Sequence, residues 1–200
     1  GALSMQLILV RHGKPEVAKQ EPTADPPLGT IGLEQAVQAA HALRHEPIER
    51  IVSSGMRRAD ATAAPLAEML KKPVEIVSDL GEIDRWGGRY ASIETLRADG
   101  GANWQAFKDD PLGFFGVDAI AFRAGVLGGF AQLLGGSERT VAVFTHGFPI
   151  NIILSHALGL NHDARFVPAY ASFTRLAGKS IDALTVVSIN ESGHVPGTPR

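Results

Sequence analysis

Short runs of consecutive apolar residues, each followed by a stretch of helical periodicity, constrain this chain more than any other feature. Residues 6–10 run Gln-Leu-Ile-Leu-Val, and an unbroken apolar run of that length marks a strand covered on both faces. Residues 48–53, 74–77 and 140–145 read as further strands, with two later ones at 171–176 and 184–189. The intervening patterns repeat every three to four residues, as helices do. The first starts from a cap at Thr30 and carries Leu33, Ala36, Val37, Ala40 and Leu43 on one face. The second, 57–71, aligns Ala59, Ala63, Leu66 and Leu70; a third, 117–134, aligns Ile120, Ala124, Leu127 and Leu134. Gly125, Gly128 and Gly129 weaken that third helix. The fourth, 148–158, turns Ile150, Ile153, Leu154 and Ala157 inward. Prolines 15, 22, 26 and 27 forbid regular structure after the first strand, and 80–116 reads as Gly-rich loop with short helices near 92–98 and 103–107. Alternation of this kind predicts a mostly parallel sheet sandwiched by helices.

The expected organisation is one domain over residues 1–200, with residues 1–5 outside the fold and Met5 as the natural start. No repeat or long linker divides the chain. With no cysteine among 200 residues, thiol catalysis, Cys-based zinc sites and iron–sulfur clusters are excluded. A formal net charge of −2 gives no basic face for nucleic acid. The apolar runs are far shorter than the ~20 residues of a membrane helix, and the N-terminus does not read as a signal peptide. A soluble, cytoplasmic protein is expected.

In a parallel α/β sheet, ligands bind outside the carboxyl ends of the strands. Four segments follow strands here: Arg11-His12-Gly13, Ser53-Ser54 with Arg57-Arg58, Leu80-Gly81-Glu82, and His146-Gly147. Paired guanidiniums mark an anion site, because each forks two donors toward a phosphate and stays charged. A neutral imidazole can accept a phosphoryl group covalently. A second imidazole, expected to be charged, can stabilise the transferring oxygens. A carboxylic acid can protonate the departing oxygen and then activate water. Gly13 and Gly147 leave room for backbone to approach a ligand.

These residues resemble the histidine phosphatase superfamily, which includes the cofactor-dependent phosphoglycerate mutases. Leu9-Val10-Arg11-His12-Gly13 is similar to the family signature, and Asp25-Pro26-Pro27-Leu28 followed by Gly32-Leu33-Glu34-Gln35-Ala36 to the start of its first helix. Residues 53–63, with Arg58, Ala59, Thr62 and Ala63, match its Ser-Ser-x-x-x-Arg-Ala-x-x-Thr-Ala stretch. Leu80-Gly81-Glu82 resembles the segment bearing its acid, and Thr145-His146-Gly147 that bearing its second histidine. A lone Arg-His-Gly is a weak signal, but four blocks in order are a strong one. The resemblance implies a three-layer α/β/α sandwich, phosphoglycerate mutase-like, with one antiparallel strand. It implies His12 as phosphoryl acceptor, Arg11, Arg58, His146 and Gly147 around the phosphate, and Glu82 as proton donor with Asp84 as the rival acid. No metal and no cofactor are implied. Many members have Thr or Ser and then Asn where this chain has Pro15 and Ala18, which points to a different substrate loop. The stretch Trp86-Gly87-Gly88-Arg89-Tyr90-Ala91 also departs from the family spacing.

Other signals carry no site. His41 and His45 stand four apart without a third ligand, and read as a solvated face. Arg57 reads as solvated beside the motif arginine. Gly178-Lys179-Ser180 lacks the glycine of a phosphate loop, since Phe173 occupies that place. The expected function is a metal-independent phosphomonoester hydrolase acting through a phosphohistidine on His12, with a small phosphorylated substrate or a phosphoprotein as partner. A mutase of the phosphoglycerate type and a non-catalytic phosphate-binding module are the alternatives. Every catalytic position is filled, which weighs against the module. The family's mutases carry long inserts, whereas 63 residues separate Glu82 from His146 here.

Overall fold

The computed structural model describes residues 4–16, 24–86, 90–137 and 139–195. Six strands form one sheet: β1 (Met5–Arg11), β2 (Arg50–Ser53), β3 (Val74–Ile76), β4 (Thr140–Thr145), β5 (Phe173–Gly178) and β6 (Leu184–Glu191), in the order β3-β2-β4-β1-β5-β6. The pairs β1–β4, β2–β4 and β2–β3 are parallel, while β5 runs antiparallel to both β1 and β6. The sheet is thus mostly parallel with one reversed strand.

Alternate side chains explain the layers. Leu7, Leu9, Val141 and Val143 join one apolar cluster with α6 (Ala119–Ala131) and α7 (Gly147–Leu158). Ile8, Val10, Ala142 and Phe144 join the other with α1 (Thr30–Leu43) and α2 (Arg57–Leu70). The central strands are apolar throughout because both faces are covered. Three short helices, α3 (Ile93–Asp99), α4 (Gly101–Asp109) and α5 (Pro111–Phe114), fill the region between β3 and β4. Ser92 and Asp110 cap α3 and α5 by accepting from the Thr95 and Gly113 N–H groups, at 3.0 and 3.1 Å.

Several expectations need correction. Met5 is the first residue of β1 and is buried, so residues 1–5 do not all lie outside the fold. Gly29, not Thr30, occupies the cap position of α1. That helix buries Gly32, Gln35, Ala36, Ala39, Ala40 and Leu43, and exposes Leu33 and Val37. The buried stripe is built of small residues because α1 approaches α2 and the loop after β1 closely. In α6 the buried residues are Phe122, Val126, Gly129 and Phe130, while Ile120 and Ala124 face outward.

Candidate active site

Strand register assembles the site. Arg11 pairs with Thr145, and Ser53 with Phe144, so His12, Ser54 and His146 emerge side by side from one sheet edge. The His12 N–H donates to the Thr145 carbonyl at 3.1 Å and the Ser54 N–H to the Phe144 carbonyl at 3.2 Å. After β1 and β4 the chain leaves toward opposite faces, to α1 and α7, which opens a crevice between these strands.

His12 is 1% exposed. Its Nδ1 lies 2.7 Å from the Gly13 carbonyl oxygen. A carbonyl can only accept, so Nδ1 carries the proton and Nε2 keeps its lone pair. Nε2 accepts from Arg58 Nε at 3.3 Å. Burial, then the Arg58 and Arg11 charges, hold this imidazole well below the ordinary histidine range. His12 is therefore neutral, with its free nitrogen aimed at the guanidinium that would hold an anion.

Arg58 is fully buried and paired in bidentate fashion with Asp84, at 3.0 and 2.8 Å. Asp84 also accepts from the Asp25 N–H at 2.8 Å, and Asp25 accepts from the Arg57 N–H at 2.9 Å at the start of α2. Arg57 itself is exposed, as expected. Arg11 is held by Glu94 and by the Pro168 carbonyl, at 2.6 and 2.7 Å from Nη1, and lies 4.2 Å from the centre of the Tyr170 ring. Burial alone would raise the Glu94 carboxyl; the Arg11 charge and hydrogen bond outweigh it and hold the group below its ordinary value.

His146 lies 5.1 Å from His12, centre to centre. Its Nε2 is 2.8 Å from Ser54 Oγ, which already accepts from the Met56 N–H at 3.2 Å. Burial, followed by Arg58 and His12, holds His146 well below the histidine range, which corrects the expectation of a charged second imidazole. Four buried polar atoms are left without partners among the described residues: Arg11 Nε, His146 Nδ1, Glu94 Oε2 and Ser172 Oγ. Buried polar groups are seldom orphaned, and the first two belong to residues that flank His12.

Glu82 stands at the opposite wall. Its Oε2 accepts from the Phe148 N–H at 3.2 Å, at the start of α7, and its Oε1 from the Ile83 N–H at 3.3 Å. Burial pushes its carboxyl up to about 7, with Arg58 opposing and Asp84 reinforcing the shift. Arg11, His12, Glu82, Asp84, Gly147 and Phe148 line the pocket together with Tyr90, Ile93 and Phe115. The space between these walls is small, about 20 Å³. An added Cβ at Gly147 would meet only Glu82 Oε2, at 3.8 Å, so protein contacts do not force a glycine there. At Gly13 they do: a Cβ would lie 2.6 Å from the Gly32 carbonyl oxygen.

Of the site residues singled out from the sequence, Arg11, His12, Glu82 and Gly147 line this pocket, while Arg58 and His146 stand outside its lining and touch His12, Arg58 by a 3.3 Å hydrogen bond and His146 by a ring contact. His41, on α1, and His45, in the turn after it, remain exposed, and no group of three His, Asp or Glu with metal-holding geometry occurs among the described residues. The sequence did not reveal the supporting roles of Ser54, Thr62, Asp25, Glu94 and Tyr170. Thr62 accepts from the Gly13 N–H at 3.0 Å and donates to the Arg58 carbonyl at 2.6 Å, tying the two motifs together. Its place in the quoted block was a usable signal. Glu94 and Tyr170 gave none, because α3 and the turn before β5 bring them to Arg11 from 83 and 159 residues away. Ala18 and residues 87–89 lie outside the described residues.

A family model of the histidine phosphatase superfamily (branch 1) matches residues 7–191. The chain belongs to that superfamily. A glucosyl-3-phosphoglycerate phosphatase of Mycolicibacterium vanbaalenii is 32% identical over 193 residues, covering 86% of this chain and 84% of its own. A probable phosphoglycerate mutase of Proteus mirabilis is 30% identical over 176 residues, covering 84% of this chain and 78% of its own. Among solved structures, a mycobacterial glucosyl-3-phosphoglycerate phosphatase superposes with a TM-score of 0.73 at 25% identity, covering 94% of this chain and 99% of its own. Phosphatases of the superfamily are thus neighbours of this chain in sequence and in structure. No described helix is long and apolar enough to cross a membrane.

Proposed function

We propose that this chain hydrolyses phosphate monoesters through a phosphohistidine on His12. The observation that carries the reading is the fixed tautomer of a buried, neutral His12, whose Nε2 lone pair faces Arg58 beside the unpartnered Arg11 Nε and His146 Nδ1. Nε2 attacks phosphorus, and the phosphorus–ester oxygen bond breaks as the N–P bond forms. Glu82, whose carboxyl burial raises to about 7 so that its acid form is available near neutrality, gives its proton to the departing alkoxide. In the second step Glu82, now a carboxylate, takes a proton from water as the water oxygen attacks phosphorus. The N–P bond breaks and inorganic phosphate leaves. Arg11 Nε, Arg58 and His146 supply the donors for the equatorial oxygens, in a site where preorganised donors act most strongly. The charge is met by guanidiniums, so the scheme calls for no cofactor and no metal, and a small phosphorylated molecule is the partner. The mutase reading rests on the Proteus relative, and would require a sugar acid to receive the phosphoryl group in place of water.

Rapid quench with a labelled monoester tests the scheme. An acid-labile, base-stable adduct is expected, on Nε2 of His12, and it should vanish in His12→Ala. An adduct on any other residue would overturn the assignment. Transfer of label from a phosphoglycerate to a second phosphoglycerate, without release of phosphate, would make the chain a mutase.

A further inference from the structure

A cavity of about 540 Å³ lies beside the catalytic pocket, and Ile83 and Phe115 belong to the walls of both. Its volume falls within the roughly 300–1,000 Å³ of small-molecule sites. Val117 and Phe122 continue the apolar wall. The wall formed by α6 includes Gly125, where an added Cβ would meet only Asp79 Oδ1, at 3.7 Å. A glycine that weakens the helix therefore also leaves space in the cavity.

The charged groups on this wall are committed. Asp118 caps α6 by accepting from the Ala121 N–H at 3.2 Å. Arg85 donates to the Ser78 carbonyl and stands 3.5 Å from Asp79. One guanidinium among two carboxylates leaves the lining with an acidic excess. A carboxylate brought here would lose water and meet like charge.

We infer that this cavity receives the alcohol part of the substrate, and that the chain prefers phosphate esters of apolar, uncharged alcohols to esters of hydroxy acids. The inference rests on the hydrolase reading above. With phosphorus at His12 and the ester oxygen at Glu82, the alcohol runs past the next residue, Ile83, and past Phe115 into the cavity. A phosphoglycerate would need a cation for its carboxylate. Among the described residues lining the cavity that cation is Arg85, which would first have to leave Asp79.

The test is a series of alkyl phosphates, ethyl to butyl to hexyl, with 3-phosphoglycerate and the phosphate ester of 4-hydroxybutyrate beside them. The alkyl leaving groups have nearly equal basicity, so kcat/KM across them reads binding of the chain. It should rise about fourfold per methylene until the cavity is filled. The terminal carboxylate should cost tenfold or more relative to butyl phosphate. Gly125→Leu fills the cavity with a better helix former at a site of ordinary contact distance, and should shrink the hexyl-to-ethyl preference tenfold or more. A flat alkyl series, faster turnover of either carboxylate ester than of butyl phosphate, or an equal loss on every ester in Gly125→Leu would overturn the inference and leave the hydrolase reading standing. No turnover of any monoester, p-nitrophenyl phosphate included, would overturn both. The wild-type series decides the matter even if the variant folds poorly.

Discussion

Two carboxylates, Glu82 and Asp84, stand two residues apart in the same pocket, and their partners give them different work. Asp84 is spent on Arg58: both oxygens are engaged by a guanidinium that has no exposed surface. Glu82 is held by two backbone N–H groups, and burial raises its carboxyl to about 7. Glu82→Gln should therefore slow phosphorylation of His12 by ~10²–10⁴ with alkyl esters, whose leaving groups need a proton. It should slow it only mildly with p-nitrophenyl phosphate, which leaves as a stabilised anion. Single-turnover measurement isolates that step, and equal losses on both esters would exclude Glu82 as the acid. The pH dependence has a definite sign. The acid must be protonated, so wild-type kcat/KM for alkyl esters should fall as pH rises through about 7, and that limb should disappear in Glu82→Gln. Asp84→Ala should behave differently, hurting both ester types alike and destabilising the fold by about 3–5 kcal/mol, because it leaves Arg58 buried without its ion partner. Arg58→Ala should cost ~10²–10³ in rate, while Arg57→Ala, on the exposed side of α2, should leave the rate near wild type; comparable losses would mean the wrong arginine faces the phosphate. Arg11, His12, Arg58, Glu82 and His146 were legible in the sequence because each stands inside a recognisable block, at or just after a strand or, for Arg58, in the first turn of α2. Glu94 and Tyr170 were not, because what places them at Arg11 is the tertiary packing of α3 and of the turn before β5.

At the scale of elements, the loop after β1 and the first turn of α1 are pressed together. The Lys14 N–H donates to Gln35 Oε1 at 2.9 Å, and Gly29 N–H to the Lys14 carbonyl at 3.1 Å. A Cβ at Gly32 would lie 2.2 Å from that carbonyl oxygen, which is backbone and cannot swing away. In an ordinary helix Gly→Ala gains about 1 kcal/mol. Gly32→Ala should do the reverse, lowering both the melting temperature and kcat/KM, because the displaced segment carries His12 two residues before Lys14. A variant at least as stable and active as wild type would show that the loop is free to move. The same contact explains why periodicity gives the buried face of α1 only in part. It places Ala36, Ala40 and Leu43 there, which are buried, and with them the large apolar Leu33 and Val37, both half-exposed. The real interface is selected by closeness, which favours Gly32, Ala36, Ala39 and Ala40. In α6 the error has a similar source: Gly129 packs so tightly that a Cβ would lie 2.9 Å from Leu80 Cδ2, and no hydrophobicity pattern registers a glycine as an interface residue. The central strands β1 and β4 are legible because an apolar run buried on both faces needs no choice of face, whereas β5, expected at 171–176, runs Phe173–Gly178. The short helices α4 and α5 carry too few turns for periodicity to fix their ends.

For the whole molecule, the pocket couples catalysis to stability through groups shifted in opposite directions. His12 and His146 are held neutral in the fold, well below the ordinary histidine value of 6.5. As pH falls below 6.5 the unfolded chain takes up protons at these positions that the folded chain refuses, so stability falls toward acid. Glu82 works the other way. Its folded value of about 7 lies above the ordinary 4.5, so the folded chain keeps a proton that the unfolded chain releases between those values, and stability falls as pH rises through that window. Above about 7 the folded carboxyl is ionised as well, and the penalty is complete. Opposing slopes place the best stability near neutrality, with the acid side steeper because two imidazoles contribute. Glu82→Gln removes one slope and leaves the other. At pH 5 glutamine replaces a carboxyl that is already neutral in the fold, so the melting temperature should stay close to wild type. At pH 8 it relieves a buried charge that burial disfavours, and the variant should melt higher than wild type while losing alkyl phosphatase activity. Calorimetry at the two pH values reads this directly. An equal shift at both would mean that Glu82 titrates normally in the folded chain, and would remove the physical basis for its role as the acid.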